Sequence, residues 1–280
     1  MIKMIATDID GTLVKDSSPE IYEEFPRLVK RLRDAGYLFV AASGRAYPSI
    51  RNMFREVADE IVYIAENGAH MIEQGRDLSV TKMKREDVCG IMQDLRELYP
   101  LGCNVVVSTP ECTLLESKDQ NFIDFMLHHY HNKIRLVEDV LAEDVDILKI
   151  AVHKPGSIRS LGEERLIPKW QDKVKTCMAG EEWVDFMDAS VDKGNALRFL
   201  QEYFDILPEE TMAFGDNAND IGMLQTAGIS FAVENARDEV KSAAKYTCPG
   251  YEQRGVYNTL CKLLEHELES MGGETNDNGF

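Results

Sequence analysis

The sequence predicts an α/β protein, a doubly wound parallel sheet interrupted by a smaller inserted α/β unit. Three observations lead there. Short apolar runs alternate with amphipathic helical segments over the first 65 residues. The same alternation returns after Asp188. Between them, residues 82–186 read as a mixture of helices and antiparallel strand pairs. Continuous apolar strands separated by helices indicate a parallel sheet covered on both faces.

The elements follow in order. Met4 to Ile9 is an apolar run ending in carboxylates. Ser18-Pro19 predicts a helix start, because proline suits a first helical position. Ile21, Phe25, Leu28, Leu32 and Ala35 follow at helical spacing, and Gly36 supplies the stop. Tyr37 to Ala42 predicts a second strand, Pro48 sits early in the next helix, and Ile61 to Ala65 predicts a third strand. In the middle, Val88, Ile91, Met92, Leu95, Leu98 and Tyr99 mark an amphipathic helix. Cys103–Val107 and Thr113–Leu115 flank the turn Ser108-Thr109-Pro110-Glu111 as a hairpin. Asn121–Tyr130 reads as helix and Ile147–His153 as strand, with Lys173–Met178 and Glu182–Asp188 as another antiparallel pair. Helices at Ala196–Phe204 and Ile221–Thr226 alternate with strands at Thr211–Phe214 and Ile229–Val233, before helices at Ala236–Ala244 and Val256–Leu268. The expected organisation is a core of 1–81 plus 187–280, an insert of 82–186, and a disordered polar tail over 271–280.

Composition excludes several function classes. Lys and Arg total 31 against 49 Asp and Glu, a net charge of −18. Nucleic acid and anionic membrane surfaces are excluded as main partners, since both need clustered cations. The apolar run at Met1 to Ala6 is too short for a signal peptide, and none approaches the ~20 residues that span a bilayer. Six cysteines without a C-x-x-C pair are expected to be reduced and mostly buried thiols in a cytoplasmic protein.

Four short constellations carry chemistry, and all fall at predicted strand ends or at the next helix start, which converge on one edge of a parallel sheet. Asp8-Ile9-Asp10-Gly11-Thr12-Leu13 puts two carboxylates close together, where they repel unless a cation joins them. Ser43-Gly44-Arg45 offers a hydroxyl and free backbone N–H groups suited to phosphate oxygens. Lys193-Gly194 opens a helix. Gly215-Asp216-Asn217-Ala218-Asn219-Asp220 sets oxygen donors on a loop, the chemistry of a hard cation, without the spacing of an EF-hand. A nucleophile-grade carboxylate, a second carboxylate, a hydroxyl, a lysine and a metal-binding loop together make a phosphoryl-transfer site.

These motifs, in this order and with room for a large insert between Ser43 and Lys193, resemble the haloacid dehalogenase-like (HAD) superfamily, in its Cof-type phosphatase subfamily. Glu66-Asn67-Gly68-Ala69, Lys149 and Gly255-Val256 are also similar to recurrent stretches of that family. The resemblance implies a Rossmannoid core with an inserted cap. It implies Asp8 as nucleophile, forming an aspartyl-phosphate, and Asp10 as general acid–base. It implies Mg²⁺ between Asp8, the backbone carbonyl of Asp10 and Asp216. Ser43, the Gly44 N–H, Lys193 and Asn219 are then expected to hold the phosphoryl oxygens, and Asp220 to orient Lys193 or a metal-bound water. Arg45 is set aside as structural. The substrate class implied is a small phosphorylated metabolite, typically a sugar phosphate, chosen by the cap. A phosphomutase and a non-catalytic phosphometabolite sensor are the rivals. The Asp8 to Ser43 interval has no room for a mutase's helical cap, and a sensor needs no acid–base.

Other features have plainer readings. His128, His129 and His131 read as a solvated helix end. Phe122, Phe125, Met126 and Tyr130 read as a core stripe, Trp170 and Trp183 as core of the insert, and Glu138 to Asp146 as a solvated acidic face.

Overall fold

The computed structural model describes residues 1–272, with side chains through residue 265. From residue 273 onward, the tail expected to be disordered lies outside the described residues. The chain first builds β1 (Met4–Asp8), α1 (Phe25–Asp34), β2 (Leu38–Ala42), α2 (Tyr47–Met53), β3 (Val62–Ala65), β4 (His70–Glu73) and β5 (Arg76–Val80). It continues through α3 (Arg85–Arg96), β6 (Asn104–Ser108), β7 (Thr113–Leu115), α4 (Gln120–Asp124), β8 (Ile134–Leu136), β9 (Lys149–His153), α5 (Arg159–Leu161), α6 (Ile167–Trp170), β10 (Lys175–Ala179) and β11 (Trp183–Met187). It ends with α7 (Lys193–Tyr203), β12 (Thr211–Gly215), α8 (Ile221–Thr226), β13 (Ile229–Val233), α9 (Asp238–Ala243), β14 (Tyr246–Cys248) and α10 (Gly255–Gly272).

The larger sheet runs β14-β13-β12-β1-β2-β3-β4-β5. Its first six strands are mutually parallel, and β3, β4 and β5 pair antiparallel. β1 is central, with β12 on one side and β2 on the other, so the strand order reverses beside it and opens a crevice at the carboxyl ends. Every residue of β1, β3 and β12 is buried, which is why these strands read as unbroken apolar runs. Phe25 of α1, Phe39 of β2 and Phe54 pack mutually, with ring centroids 5.7–6.2 Å apart.

The antiparallel edge was not expected from the sequence. Gln74 and Gly75 both have positive φ (50° and 73°) and link the paired residues Glu73 and Arg76, a two-residue turn whose twist suits a hairpin. α1 begins at Phe25 rather than at Ser18, because Pro26 fits only a first helical turn. A helix started at Pro19 would place the Pro26 ring against the carbonyl one turn earlier. Residues 15–18 are therefore loop, with Ser17 at φ 59°.

The second sheet runs β10-β11-β9-β6-β7-β8, antiparallel except at β7–β8. Its two faces separate with a period of two. Val105, Val107, Ile150, Val152, Val184 and Phe186 point one way, into an apolar cluster with α3 and Trp170. Val106, Ser108, Lys149, Ala151, Trp183 and Asp185 point the other way, toward the carboxyl edge of the larger sheet. Trp183 therefore faces a cavity instead of filling the insert's core. α4 runs on into a wider π-helical turn at Phe125–His129. Of the six free cysteines only Cys103 and Cys248 are buried. Among the described residues no helix is long and apolar enough to cross a membrane.

Removing the Phe25 ring leaves a hole beneath both Phe39 and Phe54. Phe25→Ala should cost about 3–5 kcal/mol in urea denaturation, against under about 1.5 kcal/mol for the smaller repacking of Phe25→Leu.

Candidate active site

The four constellations meet where the strands end. β1 delivers Asp8, and the chain turns sharply so that Asp10 follows. The turn needs Gly11, which has φ 83° and whose N–H donates to the Val14 carbonyl. A Cβ there would also fall 2.4 Å from Asp216 Oδ2. Asp216 follows β12, the parallel neighbour of β1. Its Oδ1 accepts from Thr12 Oγ1 at 2.9 Å. Lys193, the first residue of α7, is fully buried and donates to Asp8 Oδ1 at 2.6 Å and to Asp220 Oδ1 at 2.7 Å. Asp192 fixes that helix start by accepting from the Gly194 and Asn195 N–H groups. Asp220 Oδ2 accepts the Asp216 and Asn217 N–H groups, both at 3.0 Å, which ties the loop into a fixed shape.

One oxygen each from Asp8, Asp216 and Asp220 lies within 4.8 Å of the others. One ammonium bonds two of these three carboxylates, so the cluster is short of positive charge. Burial, and after it the charge on Asp220, raises the Asp8 carboxyl well above its ordinary range despite the Lys193 contact. The same two causes push Asp216 to about 7. Asp220 and Asp8 in turn keep Lys193 charged, against the burial that disfavours its ammonium. Asp8 Oδ2 is buried with no hydrogen-bond partner. A hard divalent cation fits these observations. It would supply the missing charge and a partner for that orphaned oxygen.

Above this floor lies a cavity of about 180 Å³. Asp8, Asp10, Ser43, Gly44 and Asn219 line it from the larger sheet. Lys193, Asp216 and Asp220 are not among its lining residues and meet the site through Asp8, Lys193 by a hydrogen bond and the two carboxylates within the oxygen cluster. Asn219 Nδ2 donates to Asn67 Oδ1 at 2.9 Å. The Asp10 carboxylate does not point freely into the cavity. Arg45 Nε donates to its Oδ2 at 2.7 Å, a second Arg45 nitrogen donates to Oδ1, and the Ser17 N–H donates to Oδ1 at 2.9 Å. Arg45, set aside on sequence as structural, is a direct partner of Asp10.

The insert's sheet roofs the cavity. Lys149 pairs with Glu66 at 2.6 Å and Asp185 at 3.4 Å, and donates to the Gly44 carbonyl. All three charged side chains are buried. Burial raises the Asp185 carboxyl, while Asp185 and Glu66 keep Lys149 charged in spite of its burial. Tyr130, Met126 and Trp183 form an aromatic and apolar wall, with the Tyr130 and Trp183 rings 6.1 Å apart and nearly perpendicular. Tyr130 and Met126 thus face the cavity, while Phe122 packs inside the insert.

Sequence reasoning gave no site role to Asp185, took Arg45 as structural and Tyr130 as core, and named Glu66, Asn67 and Lys149 only as family-like stretches without a role. Glu66 and Asn67 carried a usable signal, because they follow β3 at the same strand-end level as Ser43. Asp185 and Tyr130 carried none, since only docking of the insert brings them to the site.

A family described as haloacid dehalogenase-like hydrolase matches residues 5–260. The 5-amino-6-(5-phospho-D-ribitylamino)uracil phosphatase YbjI of Escherichia coli is 28% identical over 95% of this chain and 97% of its own. A phosphatase of the same description from Bacillus subtilis, YitU, is 26% identical over 92% and 96%. A solved Eubacterium rectale structure is 38% identical, covers 94% of this chain and 99% of its own, and superposes with a TM-score of 0.81.

With the folded Asp216 carboxyl near 7 against an ordinary 3.8, the metal-free folded state binds more protons than the unfolded chain between those values. Stability from this group is therefore present at low pH and lost as pH rises through about 7. In chelator the melting temperature should fall between about pH 5 and pH 8, and Asp216→Asn, which cannot ionise, should flatten that fall. A melting temperature equally pH-dependent in the variant contradicts the assignment.

Proposed function

The chain belongs to the haloacid dehalogenase-like hydrolases and is a phosphatase of that family, and on that premise we propose a Mg²⁺-dependent enzyme that hydrolyses a small phosphomonoester through an aspartyl-phosphate on Asp8. One observation carries the reading. Asp8 Oδ1 is tied to Lys193, while its Oδ2 is buried without a partner in a side chain that lines the cavity, two residues before a second carboxylate.

The residues support a two-step displacement. The Asp8 carboxylate attacks phosphorus, and the bond to the leaving oxygen breaks. Asp10 gives that oxygen its proton, so the leaving group departs as an alcohol. Asp10, now a carboxylate, takes a proton from water, and the resulting hydroxide displaces Asp8 and releases inorganic phosphate. Ser43, the Gly44 N–H, Lys193 and Asn219 hold the phosphoryl oxygens, where charge collects in both transition states. Asp8, Asp216 and the Asp10 carbonyl are the groups that would hold Mg²⁺. When bound, that ion supplies charge that draws an anionic ester to an acidic floor. Asp220 acts through Lys193 and the loop amides, which its two oxygens occupy.

The roof suits a leaving group with both polar and flat apolar parts, since Lys149 and Asp185 lie beside Tyr130 and Trp183. The phosphoribitylaminouracil named for the YbjI and YitU relatives meets that description in full, and a sugar phosphate meets its polar part. The aromatic wall favours the former, whose ring can lie against it.

A panel of sugar phosphates and 5-amino-6-(5-phospho-D-ribitylamino)uracil, assayed for phosphate release with Mg²⁺, tests this. Asp8→Asn should lower turnover at least about 10³-fold, on the scale of lost nucleophiles, while leaving the melting curve intact. Chelation should abolish wild-type turnover. Retained activity in either case sinks the mechanism, and transfer of phosphate to a second hydroxyl instead of water would favour the phosphomutase.

A further inference from the structure

The end of the helix bearing His128, His129 and His131 reads as a solvated terminus from sequence. In the structure His129 instead touches the larger domain. Its Nε2 lies 2.6 Å from the backbone carbonyl oxygen of Ser17. A carbonyl can only accept, so Nε2 carries the proton and donates. The next residue, Tyr130, places its hydroxyl 3.2 Å from Ser17 Oγ, and its ring lies 5.2 Å from the Arg45 guanidinium carbon. Two adjacent side chains of the insert thus converge on one loop residue.

Ser17 is also a partner of Asp10. Its N–H donates to Asp10 Oδ1 at 2.9 Å, and Arg45 donates to the Ser18 carbonyl at 2.8 Å as well as to both Asp10 oxygens. Within the loop the Ser18 N–H donates to the Lys15 carbonyl and the Ser18 hydroxyl to the Glu20 carbonyl. Ser17 sits at φ 59°, a left-handed conformation that a serine resists, and it precedes the helix that Pro26 delays. The Ser17 segment therefore rests on Asp10 and Arg45 on one side and on the insert on the other.

We propose that His129 is a positioning residue for Asp10. With the insert docked, His129 and Tyr130 grip Ser17, and the Ser17 N–H with Arg45 sets the Asp10 carboxyl where the leaving oxygen departs. His129 is outside the cavity wall and so acts without touching substrate. The inference rests on Asp10 being the acid–base of the phosphatase proposed above.

The test uses leaving groups of different need. An alkoxide requires a proton as it departs, whereas p-nitrophenolate leaves readily without one. A lost acid placement therefore penalises only the alkyl ester in kcat/KM, which reports steps up to departure. His129→Ala should lower kcat/KM about tenfold for the best alkyl phosphate of the panel, a fraction of the ~10²–10⁴ of a general acid. It should leave p-nitrophenyl phosphate within about twofold. His129→Gln, which keeps a donor, should restore the alkyl ester. Equal losses on both esters, no loss on the alkyl ester, or no rescue by glutamine overturns the inference while wild-type activity upholds the phosphatase. A wild type inactive toward every ester overturns both.

Discussion

Among the described residues one ammonium, Lys193 Nζ, reaches into a cluster of three carboxylates and bonds two of them, and the rest of the site is arranged around that imbalance. Two of its hydrogen bonds go to Asp8 and Asp220. The third carboxylate, Asp216, accepts from the Thr12 hydroxyl, and burial with the charge on Asp220 pushes it up to about 7. A buried cluster of this kind is costly in isolation. It persists because each member comes from the end of a rigid element, β1, β12 or α7, whose own packing does not depend on the charges. Gly11 permits the approach, since any side chain there would meet Asp216.

The sequence made the floor of the candidate site legible because every member of it sits at a strand end or helix start, where local signals are strong. Apolar runs announced β1, β2, β3 and β12, and the polar residues following each run announced the site. The misses have two physical causes. Local turn chemistry was overlooked at Gln74-Gly75 and Pro26, although both were readable. The roof was not readable. Asp185, Tyr130 and Trp183 look like ordinary residues of strands and helix ends until one sheet is docked on the other. The histidine run shows the same limit, because solvated and docked helix ends have the same local composition.

Net charge deserves a local reading for the same reason. The excess of acids counts against polyanionic partners at the surface. Within the site, on the function proposed above, it would be the means of recruiting a cation and thereby an anionic substrate. Arg45 and Lys149 are spoken for by Asp10, Glu66 and Asp185. They neutralise carboxylates that the fold has already brought in, and add little net attraction for phosphate.

The two-faced sheet of the insert separates two kinds of demand on the same strands. Val105, Val107, Ile150 and Val152 answer to packing, while their immediate neighbours Val106, Ser108 and Ala151 look onto the cavity. Replacing a roof residue therefore need not disturb the apolar layer behind it. On the function proposed above, such a lattice would let a lineage change what it accepts one side chain at a time, with the floor of the site and the architecture of the roof both left standing. Related chains of this fold can in this way diverge in diet faster than in shape.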